Sequence, residues 1–266
     1  MSDPNKSTAP ALDRGIDVVE LLASSESAVS FSEILTTLKI PRASLARILN
    51  TLQRRGIVDK LRQNGRYRLG MKLLYLGHRL QDKIRLRSVA WPFMQRLAED
   101  LHETVELSIQ DRNQLVLIEQ IEGPGDVRVH SRIGASYPYF HAVSVGKIYL
   151  AHMEPGKRAK ALEQVGLPAV TPWTITDHKR LEEDLSWILE NGYAVEDQEL
   201  RKGVRRVAAA IYDHNRHVVG CLSVAAPLFR IDLGDFPKIG RTVKRIAGEV
   251  SRGLGLEARN GSRQTL

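Results

Sequence analysis

The chain has 266 residues, 42% of them hydrophobic and 26% charged, with a net charge of +8. That is the balance of a water-soluble globular protein with room for two domains. No apolar run reaches the roughly 18–20 residues that span a bilayer, the polar start "MSDPNKSTAP" lacks the apolar stretch of a secretory signal, and a lone cysteine, Cys221, excludes a disulfide framework or a multi-cysteine zinc site; the expected compartment is the cytoplasm.

The charge is concentrated. Residues 39–68 hold nine basic side chains against one acid, Asp59, whereas from residue 103 onward 22 basic and 21 acidic residues nearly cancel. A basic excess confined to one segment points to a local polyanion partner.

After a tail expected at 1–9, "ALDRGIDVVELLASS" places Leu12, Ile16, Val19 and Leu22 on one face of a first helix. Ser30 followed by Glu33 is a capping-box pair opening a short second helix with Ile34, Leu35 and Leu38. Pro41 suits a first helical turn, and the third helix runs to about Arg55, with Gly56 fit for the left-handed position beyond it. Ile57 and Val58 open a strand, Gln63-Asn64-Gly65 turns, and "RYRLG" returns. Three helices and a β-hairpin make a winged helix-turn-helix over 10–70, with the helix-turn-helix at about 31–50 and the wing at 57–69.

In the third helix Leu45, Ile48, Leu49 and Leu52 form an apolar stripe, and Ala43, Arg47, Asn50 and Arg54 lie opposite it. One face packs on the first two helices and the other is free for a major groove. Arg pairs bidentately with guanine edges and Asn with adenine edges; small Ala43 and Ala46 allow close approach. Arg62 and Arg66 flank the hairpin tip, suited to phosphates or a minor groove. With Arg42 and Ser44 at the helix start, these are the candidate double-stranded DNA contacts.

A linker helix is expected over 71–86, in a helical stretch that Pro92 restarts or kinks; its stripe Leu73, Leu76 and Leu80 suits packing within the chain or dimerisation. Over 87–255, "TVELSIQ", "QLVLIEQIE", "VRVHS", "YAVED", "RRVAAAIYD" and "HVVGCLSVAAP" read as strands. "SVGKIYLAHM", "HKRLEEDLSWILEN" and "FPKIGRTVKRIAGEVSRGL" read as helices, and a tail is expected at 256–266. The order predicts an α+β domain with a mostly antiparallel sheet. Val145-Gly146-Lys147 at a helix start is placed to offer backbone N–H groups to an anion. Alternation puts Val219, Cys221, Ser223 and Ala225 on one sheet face. His141 and His152 lack helical metal spacing, no HExxH or GxGxxG occurs, and no nucleophile stands with a base; neither catalysis, cofactor nor metal is expected.

The chain resembles the IclR family of bacterial transcription regulators from about residue 11 to 255, through "ALDRGIDVVELLA", "IPRASLARILNTLQRRGIV", "NGRYRLG", "ETVELSI", "SRIG", "HAVSVGKIYLA", "GYAVEDQEL", "GVRRVAAAIYD" and "VVGCLSVAAP". The resemblance implies a winged helix-turn-helix joined to a GAF-like effector-binding domain, assembly as homodimer or dimer of dimers, and repression or activation under metabolite control, with repression favoured. It implies an effector cavity lined by the Cys221, Ser223 and Ala225 face, the turn at Ser144, Val145 and Gly146, and the segment with Glu196, Val204 and Arg206. The chain departs from the common pattern in Arg42-Ala43-Ser44, in Arg206 where relatives often carry cysteine, in Ala225, and in an aromatic "SYPYFHA" loop whose Tyr137, Tyr139 and Phe140 offer a wall. A serine, a helix start and a guanidinium suit a carboxylate; Arg206 either faces the cavity or pairs with Glu196. Three readings follow: a metabolite-controlled DNA-binding regulator, an enzyme with a GAF-like domain and a protein-binding winged helix, and a nonspecific nucleic-acid scaffold. The first fits the localised charge best.

Overall fold

The computed structural model describes residues 8–81, 84–137 and 139–256, so the expected tails lie almost wholly outside it. The chain divides into two compact units, Met1–Lys83 and Ile84–Leu266.

In the first unit, α1 (Pro10–Ser24) carries proline in its first turn, where no N–H is needed. The capping box forms at α2 (Phe31–Leu38): the Glu33 N–H donates to Ser30 Oγ at 3.2 Å and the Ser30 N–H to Glu33 Oε2 at 2.6 Å. Lys39, in the left-handed region with φ 51°, ends that helix. Pro41 is the N-cap of α3 (Arg42–Arg54), one residue outside the turn expected for it. Gly56 turns the chain with φ 72° into β1 (Val58–Lys60), which pairs antiparallel with β2 (Tyr67–Leu69). Val18, Ile34, Leu45, Leu49, Val58 and Tyr67 fill the core.

Two expectations need correction here. The buried face of α1 is Gly15, Val18 and Leu22, while Leu12 and Ile16 are exposed; the helix is apolar on two sides, and periodicity alone does not say which one the core takes. Beyond α4 (Lys72–Gln81), the restart falls at extended Ile84 rather than at Pro92, which sits inside α5 (Arg85–Leu101). Pro92 and Ser88, whose carbonyl Pro92 leaves without its helical partner, are both exposed, so water replaces the lost bond.

The second unit is built on β3 (Thr104–Asp111), β4 (Gln114–Ile121), β5 (Ser136–Tyr137), β6 (Ala194–Asp197), β7 (Val204–Tyr212) and β8 (Val218–Pro227). They form one antiparallel sheet in the order β5-β4-β3-β8-β7-β6. "VRVHS" forms no strand: although Val129 is buried, its carbonyl accepts from Thr104 Oγ1 at 2.8 Å and β5 takes the edge instead. One sheet face, with Val105, Leu107, Val207, Leu222 and Val224, packs on α5 and α9 (Phe236–Gly253). The other packs Ala208, Ala210 and Cys221 against α6 (Ser144–His152) and α8 (His178–Asn191). An unforeseen helix, α7 (Pro155–Val165), starts at proline behind a Glu154 cap. The second sheet face changes from apolar to charged along its strands, and that change positions the effector site.

Candidate DNA-binding face and effector site

On α3, Arg42, Ala43, Arg47, Asn50 and Arg54 are exposed and Ser44 is half-buried, above the buried Leu45, Ile48 and Leu49. Core and ligand faces thus share thirteen residues. The Arg42 guanidinium stacks on the Phe31 ring at 5.4 Å, which braces the start of the exposed face against α2.

The two wing arginines differ. Arg62 is exposed. Arg66 folds back: its Nη1 donates to the Ala28 carbonyl at 2.8 Å and to Glu33 Oε2 at 3.2 Å. Beside this face, Leu12, Ile16 and Val19 of α1 join Ile48, Leu52, Ile57 and Leu73 around an open, mainly apolar groove of about 610 Å³. On α4, Leu74, Tyr75, Leu76 and Leu80 are exposed, and Leu73 is half-buried.

In the second unit, register brings the polar residues of the sheet together. Glu106 of β3 lies opposite Ser223 of β8, Ser223 opposite Ala208 of β7, and Arg206 opposite Glu196 of β6. Arg206 is buried between two acids, Nε to Glu106 Oε2 at 3.4 Å and Nη1 to Glu196 Oε1 at 3.2 Å. It therefore does both things the sequence allowed, pairing with Glu196 while lining a cavity. Burial opposes its charge, but the two carboxylates outweigh burial and hold its pKa above the ordinary guanidinium value. Burial pushes Glu196 up, with Arg206 pulling the other way.

That cavity, of about 20 Å³, is lined by Glu106, Ser108, Leu115, Leu117, Ser131, Tyr137, Val143, Val145, Leu200 and Arg206. It is closed down to about the space of one water. At its edge the start of α6 has no side-chain cap, so the first N–H groups of that helix lack intrahelical partners. Ser144 Oγ and Ser223 Oγ are buried without a hydrogen-bond partner, an arrangement that costs stability unless something bonds to them. Gly146 is required by packing: a Cβ there would stand 2.2 Å from the Phe140 carbonyl oxygen.

Beneath this lies a second charged group that sequence reading missed. Lys147, fully buried, donates to Glu199 Oε1 at 2.6 Å and the Val195 carbonyl at 3.1 Å, and stands 2.9 Å from Asp184 Oδ2. Burial pushes Glu199 up to about 7 against the pull of Lys147. The available signal was a lone charge inside the apolar run "SVGKIYLA". For Glu106 and Ser108 it was polar residues at every second position of a strand.

Three of the expected cavity residues lie elsewhere. Cys221 is in the apolar half of the face, beside Tyr149, with burial raising its thiol pKa. Val204 and Ala225 pack on Val129. Of the aromatic loop, Tyr137 lines the charged cavity; Phe140 lines a separate, mainly apolar one of about 60 Å³, and Tyr139 stacks edge-on with His141.

Residues 11–62 match the family described as "IclR helix-turn-helix domain", and residues 78–252 the one described as "Bacterial transcriptional regulator IclR C-terminal". The chain is 34% identical over 250 residues to the HTH-type transcriptional repressor AllR of Escherichia coli K12, covering 94% of this chain and 92% of that protein. Among solved structures it is similar to an IclR-type regulator from Alicyclobacillus acidocaldarius, with a TM-score of 0.82, 28% identity, and coverage of 94% and 100% of the two chains. It is also similar to an IclR homologue from Microbacterium hydrocarbonoxydans complexed with 4-hydroxybenzoate, with a TM-score of 0.80, 26% identity, and coverage of 92% and 98%. No helix among the described residues is long and apolar enough to cross a membrane. The chain belongs to the IclR family of bacterial transcription regulators, with an N-terminal DNA-binding helix-turn-helix unit and a C-terminal effector domain.

Proposed function

We propose that the protein is a cytoplasmic, non-catalytic repressor that binds a pseudo-palindromic operator as a homodimer, or as a dimer of dimers, and is controlled by a small organic acid. Residues 10–70 form the DNA head, 71–86 the linker and 87–255 the sensor. Arg47 and Asn50 read base edges, with Ala43 allowing close approach, and Arg42, Ser44, Arg54 and Arg62 hold phosphates. Arg66 acts from behind, fixing the wing to α2. One head offers few base contacts, so useful discrimination needs two, related by a two-fold axis. The exposed leucines of α4 and the apolar groove beside α1 supply the surface for that pairing.

The observation that carries the effector reading is the pair of orphaned hydroxyls, Ser144 and Ser223, beside the uncapped start of α6. Such donors, with Arg206 alongside, suit a carboxylate. An organic acid exceeds the present cavity, so Tyr137 and Leu200 withdraw from the mouth as it enters. A carboxylate ligand in a relative, 4-hydroxybenzoate, favours the same class here. The acid changes operator affinity by binding one arrangement of the dimer better than another. Footprinting on DNA flanking the gene tests the reading: an inverted repeat should be protected, and an acid that raises the melting temperature of the protein should shift the protection. A uniform footprint, independent of sequence and of every acid, would refute it.

A further inference from the structure

The cavity contains more acceptors than a site for a simple acid needs. Arg206 faces two buried carboxylates, Glu106 at 3.4 Å and Glu196 at 3.2 Å, and Lys147 faces two more, Glu199 at 2.6 Å and Asp184 at 2.9 Å. The groups are neighbours, since Glu196 feels the charge of both Lys147 and Arg206. Four carboxylates thus share two cations. A bare carboxylate entering this space meets surplus negative charge in a region that water screens poorly.

What the cluster lacks is hydrogen-bond donors. Glu106 lines the cavity, and its two oxygens accept only from Ser131 Oγ at 2.7 Å and from Arg206 Nε. A carboxylate has about four acceptor positions, so about half of those on Glu106 remain open. The donors for an anion lie next to it: Ser223, with its orphaned hydroxyl, is the cross-strand partner of Glu106, about 5 Å away at ordinary strand spacing. Acid-holding donors and a spare acceptor therefore stand one strand apart.

We propose that the effector is a compact hydroxy acid, whose carboxylate is held by Ser144, Ser223 and the start of α6 and whose hydroxyl donates to Glu106. Glu106 is the residue that makes the site select hydroxylated acids over their unhydroxylated counterparts. The inference rests on the effector reading above and narrows it. The hydroxyl returns to Glu106 the hydrogen bond that water would otherwise give, and it places the positive end of its dipole in the surplus negative field. The short spacing favours a hydroxyl within a few bonds of the carboxyl carbon.

Matched acids test this on the full-length protein: glycolate with acetate, lactate with propionate, 3-hydroxybutyrate with butyrate, and 4-hydroxybenzoate with benzoate. Melting shifts rank the acids, and calorimetric titration at constant pH and ionic strength gives affinities. In the best-binding pair the hydroxy acid should bind about tenfold tighter, the usual effect of one hydrogen bond to a charged group. Glu106→Gln, which removes surplus charge and keeps one acceptor, should bring the ratio towards one, chiefly by improving the plain acid. Glu106→Asp, which keeps the charge but withdraws it, should also lower the ratio and stands in if Glu106→Gln does not fold. Equal binding of both members of the best pair by wild type would overturn the proposal while leaving the acid-effector reading intact. Full selectivity in Glu106→Asp or Glu106→Gln would overturn the role of Glu106. Binding of no acid at all would overturn both the proposal and the reading beneath it.

Discussion

Glu33 Oε2 accepts from the Ser30 N–H at 2.6 Å and from Arg66 Nη1 at 3.2 Å. One oxygen thus closes the cap of α2 and ties the wing to it. Phosphate contact by a free guanidinium contributes to the salt dependence of DNA binding, whereas a guanidinium committed inside the protein does not. Arg62→Ala should therefore flatten the slope of log affinity against log salt by about one per contact, and Arg66→Ala should leave the slope unchanged while weakening binding. Anisotropy titrations across a salt series read the difference; equal slope losses in the two variants would put Arg66 on the phosphates.

Dimerisation through the first unit predicts that Leu76→Lys with Leu80→Lys yields monomers. Light scattering at micromolar concentration should show half the wild-type mass, and operator affinity should fall by at least an order of magnitude as the second head is lost. A doubly substituted protein that kept its mass would locate the seam elsewhere.

Gly146 fixes the start of α6 under Phe140. Gly146→Ala forces a contact of 2.2 Å on backbone and should destabilise the second unit by about 1–3 kcal/mol, the usual range for overpacking. It should also reduce the melting shift given by the best acid, because the N–H groups that face the carboxylate move. An unchanged melting temperature would mean the two segments separate at no cost.

The pH dependence of stability has a defined sign. Burial raises Glu199 to about 7, so between the ordinary carboxylate range and pH 7 the folded state holds a proton that the unfolded state has lost. That contribution is present in full below the ordinary value and is lost as pH rises through about 7. Urea midpoints should fall across this window and level off above it, and Glu199→Gln should remove much of the slope. A midpoint that climbs between pH 5 and 7 and is indifferent to Glu199→Gln would contradict the assignment.

Local signals in the sequence were read correctly where one residue type fixes one conformation. Ser30 with Glu33, Gly56 and Gly192 all end or begin helices as their chemistry requires. The apolar face of α1 was misplaced, because Val18 and Val19 are equally apolar and only tertiary packing chooses between them. "VRVHS" has the alternation of a strand but gains no neighbour to pair with. The effector site was half legible. Ser144, Arg206 and Ser223 came from a family pattern, but a glutamate at position 106 reads as solvent-facing unless its partners are known. Those partners, Ser131 and Arg206, are 25 and 100 residues away, and only the folded sheet brings them to it.

The central claim is that the exposed face of α3 reads a specific DNA sequence. Anisotropy titrations of wild type and Arg47→Ala onto the footprinted duplex and a scrambled duplex of equal length test it most directly. Arg47→Ala should lose about 1–3 kcal/mol on the specific duplex and little on the scrambled one, so that the preference collapses. Wild-type affinity and preference in Arg47→Ala would contradict the account.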